Sequence, residues 1–346
     1  MDDLNIRNST FLTESALPFF KTPASLEPQN IEPYRYTQFF QVFTDILGDK
    51  YIIRLRNQDD NAFVQPTIQK SVGNKWSDPV NLPGVPGGML FTGVAVAFLQ
   101  DNKVLVTLIG FNDGLPYSVW RAADHDTWSW YGQLPIGDYK GAGFDWITCA
   151  EGNSGNMQVI LLDKKAGNPC LIWRASGNGI WAWDENFQKN FSNYSFRVAQ
   201  LGVGNEGNLQ LISIQRDTGK PFLIWQAAGN GVWASYGELP FSGEVEFESV
   251  QIGYGNGNDI EAVFLGTNGL PYLIWQAAGN GIWTWYGPLP TGVRKPGHIQ
   301  RKFSAFVFVA SDARLTVVLI EEQTNNLYAI RLRRDNIWEW LGPWRP

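Results

Sequence analysis

PYLIWQAAGNGIWTWYGPLP, residues 271–290, decides the fold, because PFLIWQAAGNGVWASYGELP at 221–240 repeats it almost letter for letter. PCLIWRASGNGIWAWDENFQ at 169–188 and PYSVWRAADHDTWSWYGQLP at 116–135 share its frame. Two degenerate versions, PTIQKSVGNKWSDPVNLP at 66–83 and LYAIRLRRDNIWEWLGPW at 327–344, extend it towards both ends of the chain. With the first Trp of each unit, or the Ile that replaces it, as anchor, the six anchors are Ile68, Trp120, Trp173, Trp225, Trp275 and Ile330. They step by 50 to 55 residues, and a second Trp follows eight positions after each. Self-similarity at such a period is the signature of a repeat architecture.

Within one unit the text reads as four short strands, FESVQIGYG, DIEAVFLGT, LPYLIWQAA and GIWTWYGPL, separated by Gly/Asn turns. Asn-Gly between apolar runs, at Asn178-Gly179, Asn230-Gly231 and Asn280-Gly281, is a strong hairpin signal because a type I′ turn needs two residues with φ > 0. One such sheet cannot bury both faces until neighbours stack on it, so the expectation is an all-β chain folded as a β-propeller. Six four-stranded blades are visible, at about 34–83, 84–135, 136–188, 189–240, 241–290 and 291–346. Residues 1–33 form a leader, too short for a blade of their own, that would pack on the ring or help to close it. A seven-bladed ring would need that segment's contribution.

The composition agrees: 346 residues carry 36 Gly, 16 Trp and only 17% charged residues, unlike disordered chains or chains of long surface helices. A net charge of −6 argues against phosphate neutralisation and so against nucleic acid as partner. The start MDDLNIRNSTFLTES has no basic region followed by an apolar stretch, and no 18-residue apolar run occurs. The expectation is therefore no membrane insertion and a protein that is cytoplasmic or released without a Sec signal. Cys149 and Cys170 stand in apolar strand-like contexts and read as buried free thiols rather than a disulfide or a metal site.

The frame VFLGTNGLPYLIWQ followed by GNGIWTWYGPLP resembles the repeat of the bacterial PLL-type β-propeller lectins, over about nine-tenths of the chain. The resemblance implies a ring with shallow sugar sites repeated around it, a preference for fucose, and a homo-oligomer. Members of that family are seven-bladed, whereas six units stand here. The first and sixth units also lack the anchor Trp and the Asn-Gly turn.

The repeat offers what a sugar site requires, an aromatic platform for the C–H face of the ring and polar groups for its hydroxyl rim. Four units keep an aromatic–polar pair on the third strand: Trp120-Arg121, Trp173-Arg174, Trp225-Gln226 and Trp275-Gln276. Strand alternation puts the two members of each pair on opposite faces. A polar residue at a packed position is informative, since a buried amide without partners costs about 1–3 kcal/mol. Trp130, Trp183 and Trp285, and Tyr286 after the last of them, complete the expected ligand-binding set; Ser235 interrupts the Trp series. The turns NSGN, NEGN and NGND lack the alternating carboxylates of a calcium loop, and no metal or cofactor is expected.

Neither His125, in the loop ADHDTW, nor His298 stands in a recognisable catalytic pattern. The sequence reading is thus a multivalent, non-catalytic carbohydrate-binding protein. A protein-interaction scaffold and an enzyme with one site on the propeller channel are the competing readings, the last favoured by unshared residues such as those around His125.

Overall fold

Short apolar strands punctuated by glycine turns fold into antiparallel sheets, each built from consecutive segments of chain. The structure is a computed structural model that describes residues 40–344, apart from 45–49, 57–62, 73–74, 100–102, 123–126, 153–154, 177–178, 205–206, 228–230, 255–259, 278–280, 292–302, 309–315, 322–326 and 334–336. Six blades make a β-propeller. Blade 3 illustrates the plan, with strands Phe144–Glu151, Met157–Asp163, Pro169–Arg174 and Trp181–Trp183 hydrogen-bonded in that order. In blade 1 the outer position is divided between Lys75–Trp76 and Val80–Asn81, which both pair with Phe63–Val72. The only helix among the described residues, Glu185–Asn190, follows the outer strand of blade 3.

The innermost strands, Phe40–Thr44, Phe91–Phe98, Phe144–Glu151, Phe196–Val203, Phe247–Tyr254 and Phe303–Phe308, lie side by side in chain order. Each opens on a phenylalanine, and Phe91, Phe144, Phe196, Phe247 and Phe303 are buried almost completely. Each such side chain contributes about 1.5–3 kcal/mol by leaving water. A backbone bond from the same residue clamps the blade to its predecessor: Phe144 N–H donates to Gly114 O at 2.8 Å, Phe196 to Gly167 at 2.9 Å, Phe247 to Gly219 at 2.8 Å and Phe303 to Gly269 at 2.9 Å. Gly167 shows why the acceptor is glycine. Its φ is 72°, and a Cβ there would lie 2.4 Å from the Phe196 carbonyl oxygen.

The hydrophobic clusters straddle blade boundaries rather than filling single sheets. One joins blades 1 and 2 around Ile53, Leu55 and Val106, another blades 2 and 3 around Ile109 and Ile147, and a third blades 5 and 6 around Val263 and Val317; the largest runs through blades 3, 4 and 5. Both thiols are buried in the cluster between blades 2 and 3, and desolvation pushes each up to about 12.

Pairing corrects the frame at the two ends. The third-strand Trp is followed by a polar residue that faces the first Trp of the outer strand, as Gln226 faces Trp233 and Gln276 faces Trp283. In blade 6 Leu332 faces Trp338, so Arg331, not Ile330, occupies the Trp position. In blade 1 Ser71 faces Trp76, so the equivalent is Lys70, not Ile68. The hairpins of these two blades are shorter by one and two residues, and a constant spacing of eight therefore misplaced the anchors.

Candidate functional site

Side chains on one strand point alternately to the two faces of its blade, and each face of a propeller blade looks at a different neighbour. The second-strand residue beside the third-strand Trp shows which way that Trp looks. Gln158 pairs with Trp173, and its amide reaches forward to Gln226 of blade 4; Gln210 pairs with Trp225 and reaches forward to Gln276 of blade 5. Each third-strand Trp therefore faces the following blade, while the Arg or Gln after it faces the preceding one. The expected aromatic–polar pairs are divided between clefts. Trp120 shares its cleft with Arg174, Trp173 with Gln226 and Trp225 with Gln276.

Each cleft is completed by the first Trp of the next outer strand, a residue set that the sequence reading passed over. Trp120 and Trp181 belong to one cluster between blades 2 and 3, and Trp275 and Trp338 to one between blades 5 and 6. A tyrosine stands at the mouth of three clefts: Tyr131, Tyr236 and Tyr286 are about half exposed. Each sits at a shift of register, Tyr286 for example between Trp285, paired with Ile274, and Gly287, paired with Leu273. A bulge of this kind re-aims the extra side chain. It turns Tyr131 edge-on to Trp181 at 6.4 Å and Tyr286 edge-on to Trp338 at 6.2 Å.

The polar residue of each cleft has its own circumstances. Between blades 3 and 4, Gln158 Nε2 donates to Gln226 Oε1 at 2.8 Å and Gln226 Nε2 donates to Gly231 O at 3.0 Å. Between blades 4 and 5 the same relay runs from Gln210 through Gln276 to Gly281, with the same distances. The relay consumes the amide of Gln226 or Gln276 and fixes its orientation, but leaves two buried atoms unsatisfied in each cleft: Gln158 Oε1 and Trp233 Nε1 in one, Gln210 Oε1 and Trp283 Nε1 in the other. One acceptor and one donor are what a hydroxyl group or a water satisfies together. Between blades 1 and 2, Arg121 donates to Tyr51 Oη at 2.7 Å, lies over the Tyr51 and Trp128 rings and is only 7% exposed, so it is sealed into the packing.

Trp130, Trp183 and Trp285 are half-buried, and each packs on aromatic rings of its own blade. Trp130 stacks on Tyr117 with ring centroids 5.7 Å apart, Trp285 stacks on Tyr272 at 5.6 Å, and Trp183 packs on Phe144 and Tyr139. Tyr139 donates to Gly143 O and Asp163, and burial and the Asp163 carboxylate raise its hydroxyl. Blade 4 has Ser235 instead of a third Trp, and Tyr194, from the segment joining blades 3 and 4, fills the place. Its ring lies against Phe196 and Phe222, and its hydroxyl donates to Ser235 Oγ at 3.3 Å. This run of the sequence varies because blade 4 takes the ring of its stack from another segment of the chain.

The cleft between blades 3 and 4 also differs at its mouth, where Asp184 stands in place of the tyrosine. Asp184 accepts from Phe187 N–H at 2.8 Å and caps the short helix, and Phe187 packs edge-on against Trp233 at 5.3 Å. A helix side chain thus covers part of this cleft, although Trp173 on its other wall is 36% exposed. His125, His298, the asparagines of the three Asn-Gly turns and the leader 1–33 lie outside the described residues. Among the described residues no three of His, Cys, Asp and Glu gather, and no helix is long and apolar enough to cross a membrane.

No family model and no curated protein matches the chain. Solved structures are similar in fold. The BP39L lectin from Burkholderia pseudomallei superposes with a TM-score of 0.65 at 15% identity, over 90% of this chain and 85% of that one. An Aleuria aurantia lectin in complex with Fucalpha1-6GlcNAc gives 0.54 at 12% identity, over 91% and 98%. The polysaccharide lyase Uly1 gives 0.51 at 13% identity, over 83% and 74%.

Proposed function

We propose that the protein is a multivalent carbohydrate-binding protein, a lectin without catalytic chemistry, whose sites are the clefts between adjacent blades. The observation that carries this reading is the recurrence, in four consecutive clefts, of two tryptophans from neighbouring blades beside a polar residue, Arg174, Gln226 and Gln276 in the first three and Glu261, which pairs with Trp275, in the fourth, with a half-exposed tyrosine at three of the mouths. Aromatic surface suits the apolar face of a pyranose, and the orphan donor and acceptor beside each glutamine relay suit a hydroxyl. Several weak sites on one ring engage a glycan surface together and gain affinity by effective concentration. Fucose or a related sugar is the preferred ligand, a choice supported by the resemblance of the repeat and by the fucosyl ligand of the Aleuria lectin. The likeness to a polysaccharide lyase supports an enzymatic use of the fold as the second reading.

Titration of the intrinsic Trp fluorescence with methyl α-fucoside and a panel of other methyl glycosides tests both. A saturable change, with binding lost at one of the sites in Trp283→Phe, which retains an aromatic ring and removes the orphan indole donor, supports the cleft reading. No response to any sugar, or an unchanged affinity and number of sites in both Trp283→Phe and Trp225→Ala, rejects it. Release of unsaturated ends from an acidic polysaccharide favours the enzyme.

A further inference from the structure

Arg121 and Arg174 hold the same position in successive blades, yet their surroundings are opposite. Arg121 is held by Tyr51 of the preceding blade; the corresponding second-strand residues ahead of Gln226 and Gln276 are Gln158 and Gln210. Ahead of Arg174 that place is taken by Leu105, which pairs with Trp120 and is 2% exposed. A leucine offers nothing to a guanidinium. The Arg174 guanidinium accordingly makes no hydrogen bond and no ion pair with any described residue, and it lies over the Trp181 ring, 5.4 Å from the centroid. Glu151 shares this face of blade 3 two strands inward, with Met157 between the two in the cross-strand row. The side chain is partly buried, which removes some of its water without sealing it; Trp181 is buried behind it, and the cleft presents the partly exposed Trp120 and the half-exposed Tyr131.

We propose that the cleft between blades 2 and 3 is an anion-selective saccharide site, in which Arg174, backed by Trp181, pairs with the carboxylate or sulfate of an acidic pyranose lying against Trp120 and Tyr131. This rests on the carbohydrate reading above and assigns one of its clefts a different ligand class. A guanidinium presents five donors in a planar fork that matches a carboxylate in two parallel bonds, and its aromatic backing keeps that fork in one plane. At the equivalent place the glutamine clefts hold a pair of neutral amides, which offer an anion no cation. The ring thus carries a cationic site beside neutral ones, in a chain whose net charge of −6 repels anions elsewhere.

The test compares methyl β-glucuronide and glucose 6-sulfate with methyl β-glucoside by calorimetric titration of the intact protein, at 50 and 500 mM salt. The expected result is binding of at least one of the two anions tenfold or more tighter than the neutral glycoside, with the preference shrinking at high salt. Arg174→Gln, which installs the side chain that blades 4 and 5 fold with, should bring the ratio close to one, and Arg174→Lys should keep part of it. Folding of the variants is checked by their melting temperatures. Neutral glycosides that bind while the anions show no preference, or a preference unchanged in Arg174→Gln, overturn the anion site and leave the lectin reading standing. A protein that binds none of these sugars and no fucoside overturns both.

Discussion

Blades 4 and 5 are near-copies in their outer halves, yet they bury different aromatic groups in the same place. Blade 5 fills the space under its third strand with its own Trp285, stacked on Tyr272. Blade 4 has Ser235 there and receives Tyr194 from the connection that precedes it. The difference teaches that a repeat is complete only with the segment before it. Close packing is conserved while the part of the chain that supplies it changes, because an unfilled space of that size costs more than a foreign ring.

The comparison can be broken by removing each ring in turn. Trp285→Ala and Tyr194→Ala should each lower the unfolding free energy by about 3 kcal/mol, the low end for large aromatic truncations since both are only partly buried. Urea midpoints measure this, and a Tyr194→Ala variant as stable as the parent would show that the place in blade 4 is not filled from the connection. Restoring the missing Trp sharpens the point. Ser235→Trp alone should overpack and cost roughly 1–3 kcal/mol, whereas Ser235→Trp combined with Tyr194→Ala should recover most of that loss in the same assay.

A smaller effect separates the relays. Gln210→Ala leaves Gln276 Oε1 without its donor and should cost about 1–2 kcal/mol, with Gln158→Ala acting alike on Gln226. The double variant tells whether the two relays are independent. They share no residue, so the losses should add. Tyr194→Phe removes one exposed hydrogen bond and should cost only about 0.5 kcal/mol.

The thiols distinguish blade 3 from its successors by pH. Burial raises Cys149 and Cys170 to about 12 from 9.0, so above pH 9 the native chain retains protons that the unfolded chain has lost. Stability from these groups is intact below about pH 9 and declines as pH rises towards 12, with a loss of a few tenths of a kcal/mol per thiol at about pH 9. Urea midpoints between pH 8 and 10 should fall less steeply in Cys149→Ala/Cys170→Ala than in the parent.

Much of the fold could be read directly from the chain. The fifty-residue period, the four strands per unit and the hairpins at Gly231 and Gly281 depend on local chemistry, and each appears where the letters place it. Register in the outer blades could not be read so, because a hairpin shorter by one residue moves every partner, and only the pairing of Leu332 with Trp338 reveals that Arg331 holds the Trp position. The residue types of the candidate site were visible, but their grouping was not. Alternation separates Trp225 from Gln226 in the letters alone, but only the contacts between blades show that Trp225 shares its cleft with Gln276 and Trp283. Tyr194 and Phe187 lie in segments outside the repeating frame, so repetition carried no trace of their roles.

The division of each cleft between two blades has a consequence for how such a ring changes over generations. With the inter-blade sites proposed above, no single repeat encodes a site; the unit of inheritance and the unit of recognition are offset by half a blade. Duplicating blade 3 in place would set a copy's Arg174 and Trp181 against the original's Gln158 and Trp173, a glutamine–arginine junction that none of the described clefts has. Insertion or loss of one repeat thus alters the specificity at a seam without mutating any residue, and new combinations of walls arise by rearrangement before substitution refines them.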